Sequence, residues 1–183
     1  MLILGIDPGT ATTGWGVLKV EGSDSKTKFI ARNYGCILTD KNREMPYRLL
    51  TLKEGISKLI AEYKPDLMSM EKIFFGANVT TAINVGQAIG AISLAAAEKH
   101  LPIHEYTGLT MKLMVAGHGR SDKQQVQDAV LKHLGMKELH TAKNQAGKDV
   151  YRFRDDAYDA LALAICHVLK EQQVTAAKGN AKI

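Results

Sequence analysis

The chain has little cysteine, no apolar run approaching the thickness of a bilayer, and only a small excess of positive charge. Each shortage removes a class of protein. Cys36 and Cys166 are the two cysteines and have no metal-ligand spacing, so both are expected to be reduced thiols, as in the cytoplasm. Without a bilayer-length run no helical membrane span is expected, and no membrane partner. The first residues enter a strand at once, so neither a signal nor a transit peptide is expected. The 24 Lys and Arg against 19 Asp and Glu, a net charge of +5, are compatible with a polyanionic partner but do not by themselves argue for one.

What is present is an ordinary globular composition, 45% hydrophobic and 23% charged, over 183 residues. That length buries one core without disulfide staples. The expected division is a folded domain over residues 1–172 and a disordered tail over residues 173–183.

The most informative stretch comes first. Leu2-Ile3-Leu4-Gly5-Ile6 reads as a strand buried on both faces, and Pro8 ends it because its nitrogen cannot donate to a sheet ladder. Asp7 is therefore a carboxylate at the tip of a central strand, where it needs a cation or several donors. Taken alone, this segment reads first as a turn cap, since Asp-Pro-Gly is common turn chemistry. The same strand ending in Gly-Ile-Asp-x-Gly-Thr also resembles the first phosphate loop of actin-like ATPases, which bind Mg-nucleotide, although those proteins need two such domains.

Further along, Gly14 to Leu18 and Phe29 to Leu38 complete an antiparallel meander. Leu49, Leu52, Ile56, Leu59, Ile60 and Tyr63 mark one face of a helix over residues 44–63. Pro65 breaks it, and a short strand delivers Glu71. A helical crossover makes that strand parallel to the first, so Glu71 and Asp7 can share one sheet edge, where open α/β sheets bind ligands. Taken alone, Glu71 reads as a loop salt-bridge partner.

One of Phe74 and Phe75 is expected to staple the next helix to the core, and the other, if exposed, could stack on a splayed base. That helix, over about residues 80–100, carries Gly86, Gly90 and several alanines. Small residues at a propensity cost imply close contact, either with the sheet or with a second copy across a two-fold axis. A strand over residues 103–106 and a short helix carrying Lys112 follow. Ser121 and Gln124 then read as a capping box that fixes Lys123 in the first turn of a helix ending at Gly135. A nearby anion would explain a lysine there, as would simple solvation. Residues 136–154 read as a long basic loop, and the last helix is apolar except for an acidic start. Its Asp156 and Asp159, three apart, share one side. They favour the helix dipole, and they also suit a divalent ion. His167 reads as a core or surface histidine rather than a ligand.

Taken together, Gly5-Ile6-Asp7-Pro8-Gly9, Met70-Glu71-Lys72-Ile73-Phe74, Val85-Gly86-Gln87-Ala88 and Asp156-Ala157-Tyr158-Asp159-Ala160-Leu161-Ala162 resemble the RuvC family of Holliday junction resolvases along nearly the whole chain. The resemblance implies an α/β, RNase H-like fold with a five-stranded mixed sheet and helices on both faces. It implies that Asp7, Glu71, Asp156 and Asp159 hold two Mg ions, for which Mn could substitute. It implies a wedging aromatic at Phe74 and DNA-contacting lysines at Lys112 and Lys123. The implied activity is a crossover junction endodeoxyribonuclease: a homodimer making paired nicks in a four-way DNA junction during recombination and repair, with a branch-migration motor as a further partner. Asp155 stands beside Asp156, so a one-residue shift of the match would exchange one ligand for the other. The loop over residues 136–154 is longer than the family's usual connection. A related RNase H-like nuclease acting on RNA or another branched structure, and a non-catalytic Mg-nucleotide-binding domain, are the competing expectations.

Overall fold

The computed structural model describes residues 1–22, 26–72, 79–140 and 154–180. Strands β1 (Leu2–Asp7), β2 (Thr12–Glu21) and β3 (Lys28–Leu38) form the expected antiparallel meander. Helix α1 (Met45–Tyr63) carries the chain to β4 (Leu67–Glu71), which lies parallel to β1. Helix α2 (Val79–Ala97) then leads to β5 (Ile103–Tyr106), parallel to β4, and completes a sheet of order β3-β2-β1-β4-β5. Helices α3 (Gly108–Ala116), α4 (Lys123–Leu134) and α5 (Arg154–Asn180) follow.

Strand alternation distributes the side chains between two cores. Leu4 and Ile6 of β1 and Met68 and Met70 of β4 pack with Leu52 and Ile56 of α1 and Ile92 of α2. Ile3 and Leu67 point the other way, into a core with Leu161 and Ile165 of α5, Met111 of α3 and Val126 of α4. Helices thus cover both faces, as expected. Each fully buried leucine or isoleucine stabilises this sandwich by about 1.5–3 kcal/mol. The period of two has a second consequence. Gly5 and Asp7 share the Ile3 side of β1, and Ser69 and Glu71 share the Leu67 side of β4, so both carboxylates face α5.

One expectation is corrected. The capping box lies one residue later: the Asp122 carboxylate accepts from the Gln125 backbone N–H at 2.9 Å, and the Gln125 side chain accepts from the Asp122 N–H at 2.9 Å. Ser121 is buried instead, its hydroxyl donating to the His118 carbonyl at 2.8 Å. A carboxylate suits the positive helix end better than a hydroxyl, and the shift makes Lys123 the first helical residue. Past residue 173, helix α5 runs on through Asn180. The Gln172 side-chain amide donates to the Thr27 hydroxyl at 2.6 Å, Thr175 bonds back to the Glu171 carbonyl, and Ala176 and Ala177 are strong helix formers.

The alanines Ala88, Ala95 and Ala96 of α2 pack in the core under the sheet, but its two glycines do not. A β-carbon on Gly86 or Gly90 would meet nothing within 4 Å, and both glycines are exposed. Both cysteines are buried thiols, pushed up to about 12 by burial first of all, and are chemically quiet.

Candidate active site

Asp7 and Glu71 each end a strand. The parallel register pairs Ile6 with Met70, so the two acids come next, side by side at the carboxyl edge of the sheet. A hydrogen bond with Asp7 favours the ionised form of Glu71. Behind Glu71, a β-carbon on Gly108 would lie 2.9 Å from Oε1, so a side chain there would make the carboxylate shift.

Asp156 and Asp159 arrive from above, on α5. This helix lies on a floor of three glycines from β1 and β2. A β-carbon on Gly5 would stand 1.9 Å from the Ala160 carbonyl oxygen, one on Gly14 would stand 2.0 Å from that of Asp156, and one on Gly16 would meet the Leu161 side chain at 2.7 Å. In the sheet, Gly5 pairs with Gly16 and Asp7 pairs with Gly14. The first turn of α5 is therefore pressed against the residue opposite Asp7. One turn further, the buried Ser69 hydroxyl donates to the Leu163 carbonyl at 2.7 Å and fixes the helix over β4.

The electrostatics report the resulting proximity. Asp7 is raised from 3.8 to about 8, by burial first and then by the charges of Asp159, Glu71 and Asp156, with Lys123 opposing. Glu71 is raised by burial and by Asp159, against the Asp7 hydrogen bond and Lys112. Burial also raises Asp156 and Asp159, and Lys123 pulls both down. Like charges gathered in a half-buried place disfavour one another's ionisation, and a cation would reverse this. Among the described residues, no three acidic, histidine or cysteine groups stand close enough together to hold an ion as they are. The donor set is nonetheless all carboxylate oxygen, which suits a hard divalent cation such as Mg.

Of the two lysines, Lys112 is half-buried on α3, its charge reaching Glu71 and Asp159. Lys123 is exposed, with Nζ 3.0 Å from the Asp155 carboxylate. Asp155 also accepts from Gln127 at 2.8 Å, and the Lys123 contact holds it below the usual carboxylate range. It is thus engaged on the α4 side of α5, whereas the charge of Asp156 is among those that raise Asp7. Phe74 and Phe75 lie outside the described residues, as do residues 141–153 of the long loop. His167 is buried, the first of the two placements expected for it. Its Nδ1 is 2.8 Å from the Tyr106 hydroxyl and its ring rests on His104 with centroids 4.5 Å apart.

The residues missed by sequence reasoning are the ones that set the site's geometry: Gly5, Gly14, Gly16, Ser69 and Gly108. A signal existed, since glycines inside strands mark close approach of another backbone. Their partner, however, lies at the other end of the chain.

A mixed 3-2-1-4-5 sheet, with helices on both faces and carboxylates at its carboxyl edge, defines a protein of the RNase H-like class. Comparison with known proteins is more specific. The model of a family described as crossover junction endodeoxyribonuclease RuvC matches residues 3–167, and the chain belongs to that RuvC family. It is 45% identical to the RuvC protein of Desulfitobacterium hafniense over 91% of this chain and 92% of that protein. It is 42% identical to that of Rubrobacter xylanophilus over 99% of this chain and 92% of the relative. The structure of Thermus thermophilus RuvC in complex with Holliday junction substrate superposes with a TM-score of 0.80 at 27% identity, covering 96% of this chain and 97% of the other.

Proposed function

We propose that this chain, over residues 1–172, is a Mg-dependent endonuclease that resolves four-way DNA junctions by paired symmetric nicks. The observation that carries the reading is the placement of Asp7 and Glu71 at adjacent strand ends, with the acidic first turn of α5 seated against Gly14 opposite Asp7, in a chain of the RuvC family. Asp7, Glu71, Asp156 and Asp159 are the residues that would hold two divalent cations. When bound, the ions supply Lewis-acid and water-activating chemistry at a phosphodiester.

The chain's own residues do the rest. Lys112 neutralises a phosphate beside the acids. Lys123 gives up its exposed pairing with Asp155 for a second phosphate, an exchange with little cost because such pairs contribute only about 0.2–1 kcal/mol. Asp155 acts as a parking partner for that lysine rather than as a ligand. The Phe74 loop supplies the aromatic wedge at the junction.

A two-fold dimer supplies the second active site. The outward face of α2 supports it: Ile83 and Leu94 are 54% and 56% exposed, with Gly86 and Gly90 between them, and Leu50 of α1 lies 52% exposed nearby. A helix bearing apolar and very small residues outward fits close approach of its own copy. The buried thiols fit a reducing compartment such as the cytoplasm. A branch-migration motor is the partner class that would bring a junction to its cut site.

The test is cleavage of a synthetic mobile four-way junction with Mg, beside linear duplex and RNA–DNA hybrid. Paired nicks in the junction alone are expected. Preferential cutting of the hybrid would favour an RNA-directed nuclease, and no cutting at all would end the reading.

A further inference from the structure

Helix α3 has apolar residues on two faces, and the fold uses one of them. Met111 and Val115, four apart, are buried in the core beneath α5. Leu109 and Leu113, also four apart, point outward and are 65% and 53% exposed. A single exposed leucine is ordinary, but two stacked one turn apart form a continuous apolar strip.

The strip lies beside the acids. Helix α3 opens at Gly108, against the Glu71 carboxylate, and Lys112, within one turn of both leucines, reaches Glu71 and Asp159 electrostatically. Leu109 is also held in place. A β-carbon on Gly119 would stand 2.7 Å from its Cδ1, so the turn carrying the exposed His118 and Arg120 packs along one flank of the leucine and leaves the outer flank open. Beside the acids, Lys112 and the exposed Arg120 bring positive charge to the strip, which suits a polyanion better than an apolar protein partner.

We propose that Leu109 and Leu113 form an apolar shelf that receives the face of an unpaired base in the DNA strand being cut, next to the scissile phosphate, and thereby biases where along a junction the cut falls. This rests on the reading of the four acids as a phosphodiesterase centre. With a phosphate between the acids and Lys112, Leu109 lies about 5–6 Å from Lys112 along the helix face, within reach of the adjacent base. Every base has a flat face, so an aliphatic shelf accepts any of them and favours those that unstack readily.

The experiment uses the full chain and a four-way junction in which single abasic nucleotides replace each position flanking the cut. On the wild type, one abasic position should slow cleavage about tenfold, as expected for the loss of one stacked base. Leu109→Gln with Leu113→Gln should be about tenfold slower on the intact junction, lose nothing further at that abasic position, and spread its cuts more evenly along a mobile junction. Leu109→Met with Leu113→Met should keep the wild-type rate and cut distribution. The single Gln variants carry the same comparison should the pair melt early. Wild-type rates and cut distribution in the Gln variants would overturn the shelf, as would an abasic penalty equal in wild type and variant. A wild type that cuts no junction would instead remove the phosphodiesterase reading itself, and the shelf with it.

Discussion

The carbonyl oxygen of Asp156 stands 2.0 Å from the point that a β-carbon on Gly14 would occupy. Gly14 is paired with Asp7 across the sheet, so the absence of one methyl group sets how close the acidic turn of α5 comes to the acid at the tip of β1. Gly14→Ala must lift that turn or bend the strand. The expected cost is about 1–3 kcal/mol of stability, the range for overpacking a filled site. Junction cleavage should fall with it, because Asp156 and Asp159 move together. Denaturant unfolding and single-turnover cleavage measure the two effects, and full activity in a destabilised variant would show that the glycine serves packing alone.

Asp7→Asn and Glu71→Gln keep shape and remove charge. Each should reduce Mg-dependent cleavage by at least about a hundredfold, comparable to removing one electrostatic contact from a transition state, while junction binding is retained or strengthened. Cleavage at the wild-type rate by either variant would sink the two-cation mechanism.

The raised Asp7 gives a pH dependence with a definite sign. In the metal-free protein its folded value is about 8 against an ordinary 3.8, so the folded state holds a proton that the unfolded chain has released. Stability should therefore be highest below about pH 4 for this group and decline as pH rises toward 8. Asp7→Asn should flatten that decline. Mg binding should release a proton near neutral pH, visible as buffer-dependent heats in calorimetry. Metal-free stability that rises across this window in the wild type relative to Asp7→Asn would contradict the assignment.

Lys123 and Asp155 form an exposed pair with side chains 58% and 52% accessible, so losing it should change stability by less than about 1 kcal/mol. Their functional effects should separate. Lys123→Ala should weaken junction binding and lower the salt-dependence slope by about one. Asp155→Asn should cut within a few-fold of wild type, whereas Asp156→Asn should not cut. If the two aspartate variants exchange these outcomes, the ligand is Asp155.

On α2, Ile83→Glu with Leu94→Glu should leave the exposed helix folded and convert a dimer into monomers by sedimentation. The monomer should nick single strands instead of resolving the junction. A wild type that sediments as a monomer at high concentration would remove the two-fold arrangement.

Much of the site was legible from one dimension. An apolar run ending in Asp7, a helix after it, and a second strand ending in Glu71 leave few topologies, because a crossover makes the strands parallel and brings their ends to one edge. The spacing of Asp156 and Asp159 likewise places both on one side of a helix. The capping box was read one residue early because Ser121-Asp122-Lys123-Gln124-Gln125 offers two overlapping frames, and burial of Ser121 chose between them. Residues 173–180 carry little apolar periodicity, and the helix they extend is tied down by Gln172 at Thr27.

Sequence alone determined which residues carry charge and which strand ends they occupy, since periodicity and proline stops are local properties. Only the folded chain decided how near those charges stand. The meeting of Asp156 with Asp7 depends on three glycines touching a helix more than a hundred residues away, and such contact has no local signature. The same holds for the turn of Asp155 toward Lys123 and for the outward face of α3, because each is settled by which neighbour takes up the surrounding space.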